Sequence, residues 1–138
     1  MIYSIPLTVL PLIVFNAVGY SISGADPWAI VLVGIPMMSG VTWELNYAEL
    51  LIIFGIFMLF FEVMKAARAS SHNITNHVLS TIVLIVYVVE FVVAPVAANS
   101  VFLILTLIAL FDVVAGFSIT IRTATRDVAI GNHNDPTL

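Results

Sequence analysis

VLSTIVLIVYVVEFVVAPVAANSVFLILTLIALFDVVAGFSITI, residues 78–121, decides the fold. It divides into two apolar runs, 78–98 and 101–121, joined by an Asn99-Ser100 corner. Each run has the ~20 residues that a helix needs to cross a bilayer. The apolar residues are continuous rather than alternating every second position, which predicts helices and not barrel strands. Each run also carries one carboxylate, Glu90 in the first and Asp112 in the second. An ionisable group at that depth is costly, so it calls for a partner and a role.

The rest of the chain agrees with this reading. Of its 138 residues 62% are hydrophobic and 9% are charged, where soluble domains carry about 25% charged residues. So much apolar surface requires lipid as the solvent, and in lipid every backbone polar group must be bonded internally. There is no cysteine, which excludes disulfides, thiolate metal sites and cysteine nucleophiles. Four Lys and Arg residues make no basic surface for nucleic acid. The first residues lack a positive region and a clean cleavage site, so they are read as the start of a retained helix.

Two further spans are expected at residues 5–23 and 47–64. Pro11 should kink the first by removing a helical hydrogen bond. Residues 28–43 hold a short apolar stretch broken by Gly34 and Pro36 and bracketed by Trp28 and Trp43. Tryptophan favours the membrane–water interface, so this segment is expected to be re-entrant or interfacial, with a short fifth span as the alternative. The fold class is therefore an all-α integral membrane protein. One polytopic domain, residues 1–138, forms a bundle of four transmembrane helices, with a polar cytoplasmic tail at 122–138.

All four basic residues follow spans: Lys65 and Arg68 after the second, Arg122 and Arg126 after the last. The positive-inside rule puts both pairs on the cytoplasmic side and, with four spans, both termini there. With the two Trp residues these four serve as interface anchors. Short loops and size point to a bacterial inner membrane. Small and polar residues recur at three- and four-residue steps: Thr106, Ala109, Asp112, Gly116 and Thr120 in the last span; Tyr87, Glu90, Ala94 and Ala97 in the third; Ala48, Gly55 and Glu62 in the second. Such stripes let membrane helices approach closely, so they should face one another while the Leu, Ile, Val and Phe faces meet lipid.

Counting helical rise from the cytoplasmic ends places Asn16, Glu90 and Asp112 within a few Å of one depth. That intramembrane polar cluster is the candidate site. It reads in three ways: neutral hydrogen-bonded glue, a proton or cation site, or a pair for a basic group on another subunit. Glu62 and Tyr87 are secondary candidates. Glu62 stands three residues before Lys65, as an i,i+3 ion pair. His72 and His77 read as a solvated link, because their spacing does not suit a helical metal pair. The acids Asp26, Glu44 and Glu49 read as solvated loop and interface charges.

No nucleophile–base arrangement, phosphate loop or metal motif occurs, so neither an enzyme activity nor a cofactor is expected. The expected partners are the bilayer and either other membrane subunits or further copies of the chain. The preferred function is a non-catalytic accessory subunit of a larger membrane complex. The alternative is a homo-oligomeric proton- or cation-coupled transporter or channel that titrates at Glu90 and Asp112.

Overall fold

The structure is a computed structural model and describes residues 5–22, 26–68 and 74–131, with backbone alone at 74–75 and 122–131. In chain order it comprises helix α1 (Val9–Ser21), a 3-10 turn (Pro27–Ala29), strands β1 (Val31–Pro36) and β2 (Thr42–Asn46), helix α2 (Tyr47–Arg68), helix α3 (Ile74–Val93), a second 3-10 turn (Pro95–Ala97) and helix α4 (Ser100–Gly131). Among the described residues three helices are long and apolar enough to cross a membrane: Tyr47–Arg68, Asn76–Val93 and Ser100–Ile121.

α1 is shorter than its apolar run. It has 13 residues, or about 20 Å at the usual rise, against a hydrocarbon core of about 30 Å. The chain enters α1 through a turn in which Val9 N donates to the Pro6 carbonyl and Leu10 N to that of Leu7. The helix therefore starts late, and Pro11 falls in its first turn. A proline there lacks only an N–H that would have no helical partner anyway, so the cause of the expected kink is removed.

Residues 28–43 differ more. Beyond the short 3-10 turn at Pro27–Ala29 they are strand rather than helix, so they are not a helical fifth span, and the fold is not all-α. β1 and β2 pair antiparallel, with Ile35 opposite Trp43 and Pro36 opposite Thr42, and with a register shift between Val31 and Val33. Val31, Val33 and Ile35 are β-branched and suit extended backbone better than helix, and Gly34 weakens a helix at this point. The reversal is a type I-like turn closed by glycine: Gly40 N donates to the Met37 carbonyl, and Gly40 has φ +82°. The hairpin projects from the bundle, and all six residues of β1 are exposed.

Caps fix the helix starts on the hairpin side. Asn46 Oδ1 accepts from Glu49 N while Glu49 Oε2 accepts from Asn46 N, a reciprocal capping box for α2. Asn99 Oδ1 accepts from Phe102 N at the start of α4. α3 ends at Val93 rather than continuing to residue 98, since Pro95 bars helical backbone at Ala94.

The helices pack through the predicted stripes. Thr106, Ala109, Asp112 and Gly116 of α4 are buried, as are Gly55 and Glu62 of α2. A methyl group at Gly55 would sit 3.0 Å from Leu105 and 3.2 Å from Ile108, so the glycine sets how closely α2 and α4 approach. At the hairpin end the core is aromatic. Phe15 stacks on Trp28 at 4.6 Å and meets Phe102 edge-on at 4.7 Å, while Tyr87 and Phe91 flank Phe102. At the opposite end the core is polar.

Candidate functional site

That polar end is assembled from all four helices. Its floor is Glu62, on the last two turns of α2 and 1% exposed. Glu62 Oε1 accepts from Lys65 Nζ at 2.7 Å and from Asn76 Nδ2 at 2.8 Å, and Oε2 accepts from Leu7 N at 3.0 Å. Lys65 Nζ also donates to the Ile5 carbonyl. The carboxylate thus holds the entry to α1, the end of α2 and the start of α3 together, in the i,i+3 pair that the sequence predicts.

Asp112 lies one layer deeper and is 4% exposed. Its Oδ2 accepts from Thr8 Oγ1 at 3.2 Å, and Ser80 lies beside the same carboxylate. Thr8 is the N-cap of α1 but makes no side-chain cap bond; its hydroxyl donates to Asp112 instead. The Thr8 carbonyl accepts from Tyr87 Oη at 2.9 Å. Tyr87, a secondary candidate from sequence, therefore fastens the first turn of α1 to α3.

Asn16 and Glu90 do not join Asp112. Asn16 donates to the Leu12 carbonyl of its own helix and is half-buried. Glu90 is half-buried near the end of α3, beside Phe91, which stacks on Phe102. Phe102 and Asp112 are ten residues apart on α4, which separates their levels by about 15 Å. The expected common depth depended on the helix ends. α3 begins at Ile74 and ends at Val93, which carries Glu90 towards the hairpin end. α1 meets the bundle already at the level of Asp112, which carries Asn16 the same way. The second acid near Asp112 is Glu62.

His77 is a further residue that sequence reading placed elsewhere. It is buried in the first turn of α3, not solvated in a link. Its ring stacks on Phe117 at 5.7 Å between centroids, and its Nε2 bonds the Thr120 hydroxyl. Thr120 Oγ1 also lies within hydrogen-bond distance of the Gly116 carbonyl of its own helix. The available signal was the spacing of Asn76, Ser80 and Tyr87, which with His77 continues a helical pattern backwards from residue 78. His72 lies outside the described residues.

Of the expected anchors, Trp28 is a core residue and Trp43 is exposed. Lys65 and Arg68 end α2. The backbone of α4 continues through Arg122 and Arg126 to Gly131, while the side chains of those two arginines and residues 132–138 lie outside the described residues. Asp26 and Glu49 cap their neighbours' backbone N–H groups. No group of three or more His, Cys, Asp or Glu side chains among the described residues is placed to hold a metal ion.

Comparison with protein-family models, with curated proteins and with solved structures returns no match. The site's chemistry has to be read from its own geometry. Its hydrogen bonds run between backbone, hydroxyl, amide and carboxylate groups of different helices, an arrangement that holds helices in place.

Proposed function

We propose that this chain is a non-catalytic accessory subunit of a larger membrane assembly, anchored by its helices and offering the hairpin to its neighbours. The observation that carries the reading is the hairpin itself. Val31, Leu32, Val33, Ile35, Met37, Met38, Val41 and Trp43 are all exposed, Met38 fully. The chain's own bundle covers neither face. In water such a patch marks an interaction surface. In hydrocarbon its two open edges would leave backbone groups unpaired. A protein neighbour at the membrane surface meets both demands.

In this reading α1, with the residues on either side of it, completes a fourth crossing. The hairpin lies on the outer face as the interfacial element. Lys65, Arg68, Arg122 and Arg126 lie inside, and both termini are cytoplasmic in a bacterial inner membrane. The basic residues and the length of the apolar helices support that orientation.

The test is the mass of the intact particle extracted without a tag in mild detergent. Other chains in fixed ratio, lost when residues 31–43 are replaced by a short polar turn, are expected. A particle made only of copies of this 15.0 kDa chain overturns the reading.

A second reading, a proton- or cation-coupled transporter or channel working as a homo-oligomer, draws support from Asp112, a buried acid inside a span. Asp112 and Glu62, rather than Asp112 and Glu90, would be its charged pair.

A further inference from the structure

Two acids and one base meet at the polar end of the bundle. Lys65 is bound to Glu62, so those charges cancel. Asp112 is left with the Thr8 hydroxyl as donor, with Ser80 beside it, and with no ion pair among the described residues. Hydroxyl dipoles alone are a weak counterweight for a carboxylate in the interior.

The second observation is independent of the acids. Asn76 is 5% exposed, and its Oδ1 is buried with no hydrogen-bond partner among the described residues. The amide cannot be turned over to cure this. Its Nδ2 faces Glu62 Oε1 at 2.8 Å, and a carbonyl there would oppose a carboxylate. The carbonyl oxygen is therefore fixed inside the cluster as an unused acceptor, which is costly unless something electropositive meets it. Asn76 and Ser80 are four residues apart on α3 and so share one face. That face bonds Glu62 through Asn76 and, one turn further along α3, brings Ser80 to Asp112.

We propose that Asp112, Thr8, Ser80 and the Asn76 carbonyl form a binding site for a monovalent hard cation. The ligand set is all oxygen, from carboxylate, hydroxyl and amide, which is the chemistry of hard cations rather than of zinc or copper. One negative charge remains after Lys65 has neutralised Glu62, so a monovalent ion balances the site and a divalent ion overcharges it. The Thr8 hydroxyl keeps lone pairs for the ion while donating to Asp112, and the Ser80 hydroxyl can offer its own. The site goes beyond the subunit reading and does not depend on it, since it lies at the opposite end of the bundle from the hairpin.

The experiment is thermal unfolding of the purified full-length protein in mild detergent, with sodium chloride exchanged for choline chloride at constant ionic strength and pH. Binding to the folded state alone raises the midpoint with ion concentration. A sodium-dependent rise of several degrees is expected, absent in Asp112→Asn and half-saturating at a sodium concentration at least tenfold higher in Asn76→Ala. Equal midpoints in the two salts overturn the site, including the case in which the midpoint follows pH alone. So does a rise that persists unchanged in Asp112→Asn. If a variant fails to fold, the wild-type comparison of the two salts still decides. Particle mass and partner content do not enter this readout, so its failure is separate from that of the subunit reading.

Discussion

Glu62 is the most connected side chain of the polar end, and its three partners come from three different segments. Replacing it with alanine leaves Lys65, Asn76 and Leu7 N without their acceptor at once. Lys65 is partly exposed and can turn to the headgroups, but Asn76 cannot, so Glu62→Ala should cost about 2–4 kcal/mol. Glu62→Gln keeps one acceptor oxygen and should cost less than half of that. Reversible unfolding in mixed detergents measures both, and equal losses would contradict the account. Gly116 carries a second argument. A methyl group there would lie 2.6 Å from His77 Nδ1, too close for any real contact, so Gly116→Ala should cost about 1–3 kcal/mol by overpacking. The penalty belongs to the pair: in a His77→Ala background it should largely vanish, and a penalty that stays would place the strain elsewhere. At this scale the sequence discloses the Glu62–Lys65 pair, because i,i+3 spacing on a helix fixes it. It does not disclose Asn76 or Leu7 N as partners. They approach from segments whose register depends on where α1 and α3 begin.

The elements were legible in proportion to their length. α2 and α4 follow from unbroken apolar runs, and the charged residues at the end of α2 mark its limit. α3 is displaced by four residues because its first turn carries Asn76 and His77, which look like loop when read for hydropathy alone. α1 starts one turn late, after Pro6, and ends at Ser21. The hairpin is the real departure. A short apolar stretch does not separate strand from buried helix by periodicity, and the deciding signals were its β-branched residues and the glycine at the reversal. That glycine makes the hairpin testable. Gly40 is in the left-handed region with open space around it, so Gly40→Ala meets a backbone penalty of about 1–2 kcal/mol and no clash. The Met37 N–H, which donates to the Val41 carbonyl at 2.9 Å, should then exchange with solvent roughly tenfold faster. Amides of α2 and α4 should exchange as before. Slowed or unchanged exchange at Met37 would mean that the turn is not what holds the strands together.

The whole molecule is polarised along its helices. One end carries the aromatic core, the caps and the projecting apolar hairpin; the other carries Glu62, Asp112, Lys65 and Arg68. α1 runs against α2, since Leu7 meets Glu62 at one end and Phe15 reaches Trp28 towards the other. Its 13 helical residues are enough to connect the two ends because Thr8 already sits at the depth of Asp112. The proposed position in a membrane rests on this polarity together with the placement of basic residues. α4 continues about ten residues past Ile121, or some 15 Å by helical rise, and in that proposal its end clears the hydrocarbon on the side of Lys65 and Arg68. The chain has no cysteine, so single cysteines report position without background. Ser39→Cys at the hairpin tip should react with a membrane-impermeant maleimide in intact cells. Ala67→Cys at the end of α2 and Thr137→Cys should react only after the membrane is opened. The reverse pattern would invert the orientation while leaving the fold intact. Equal labelling of Ser39→Cys and Ala67→Cys in intact cells would mean that α2 does not cross. A Ser39→Cys that stays unreactive on both sides, in a protein that otherwise labels as expected, would put the hairpin under a neighbour, and the subunit reading predicts that shielding to disappear once the assembly is taken apart.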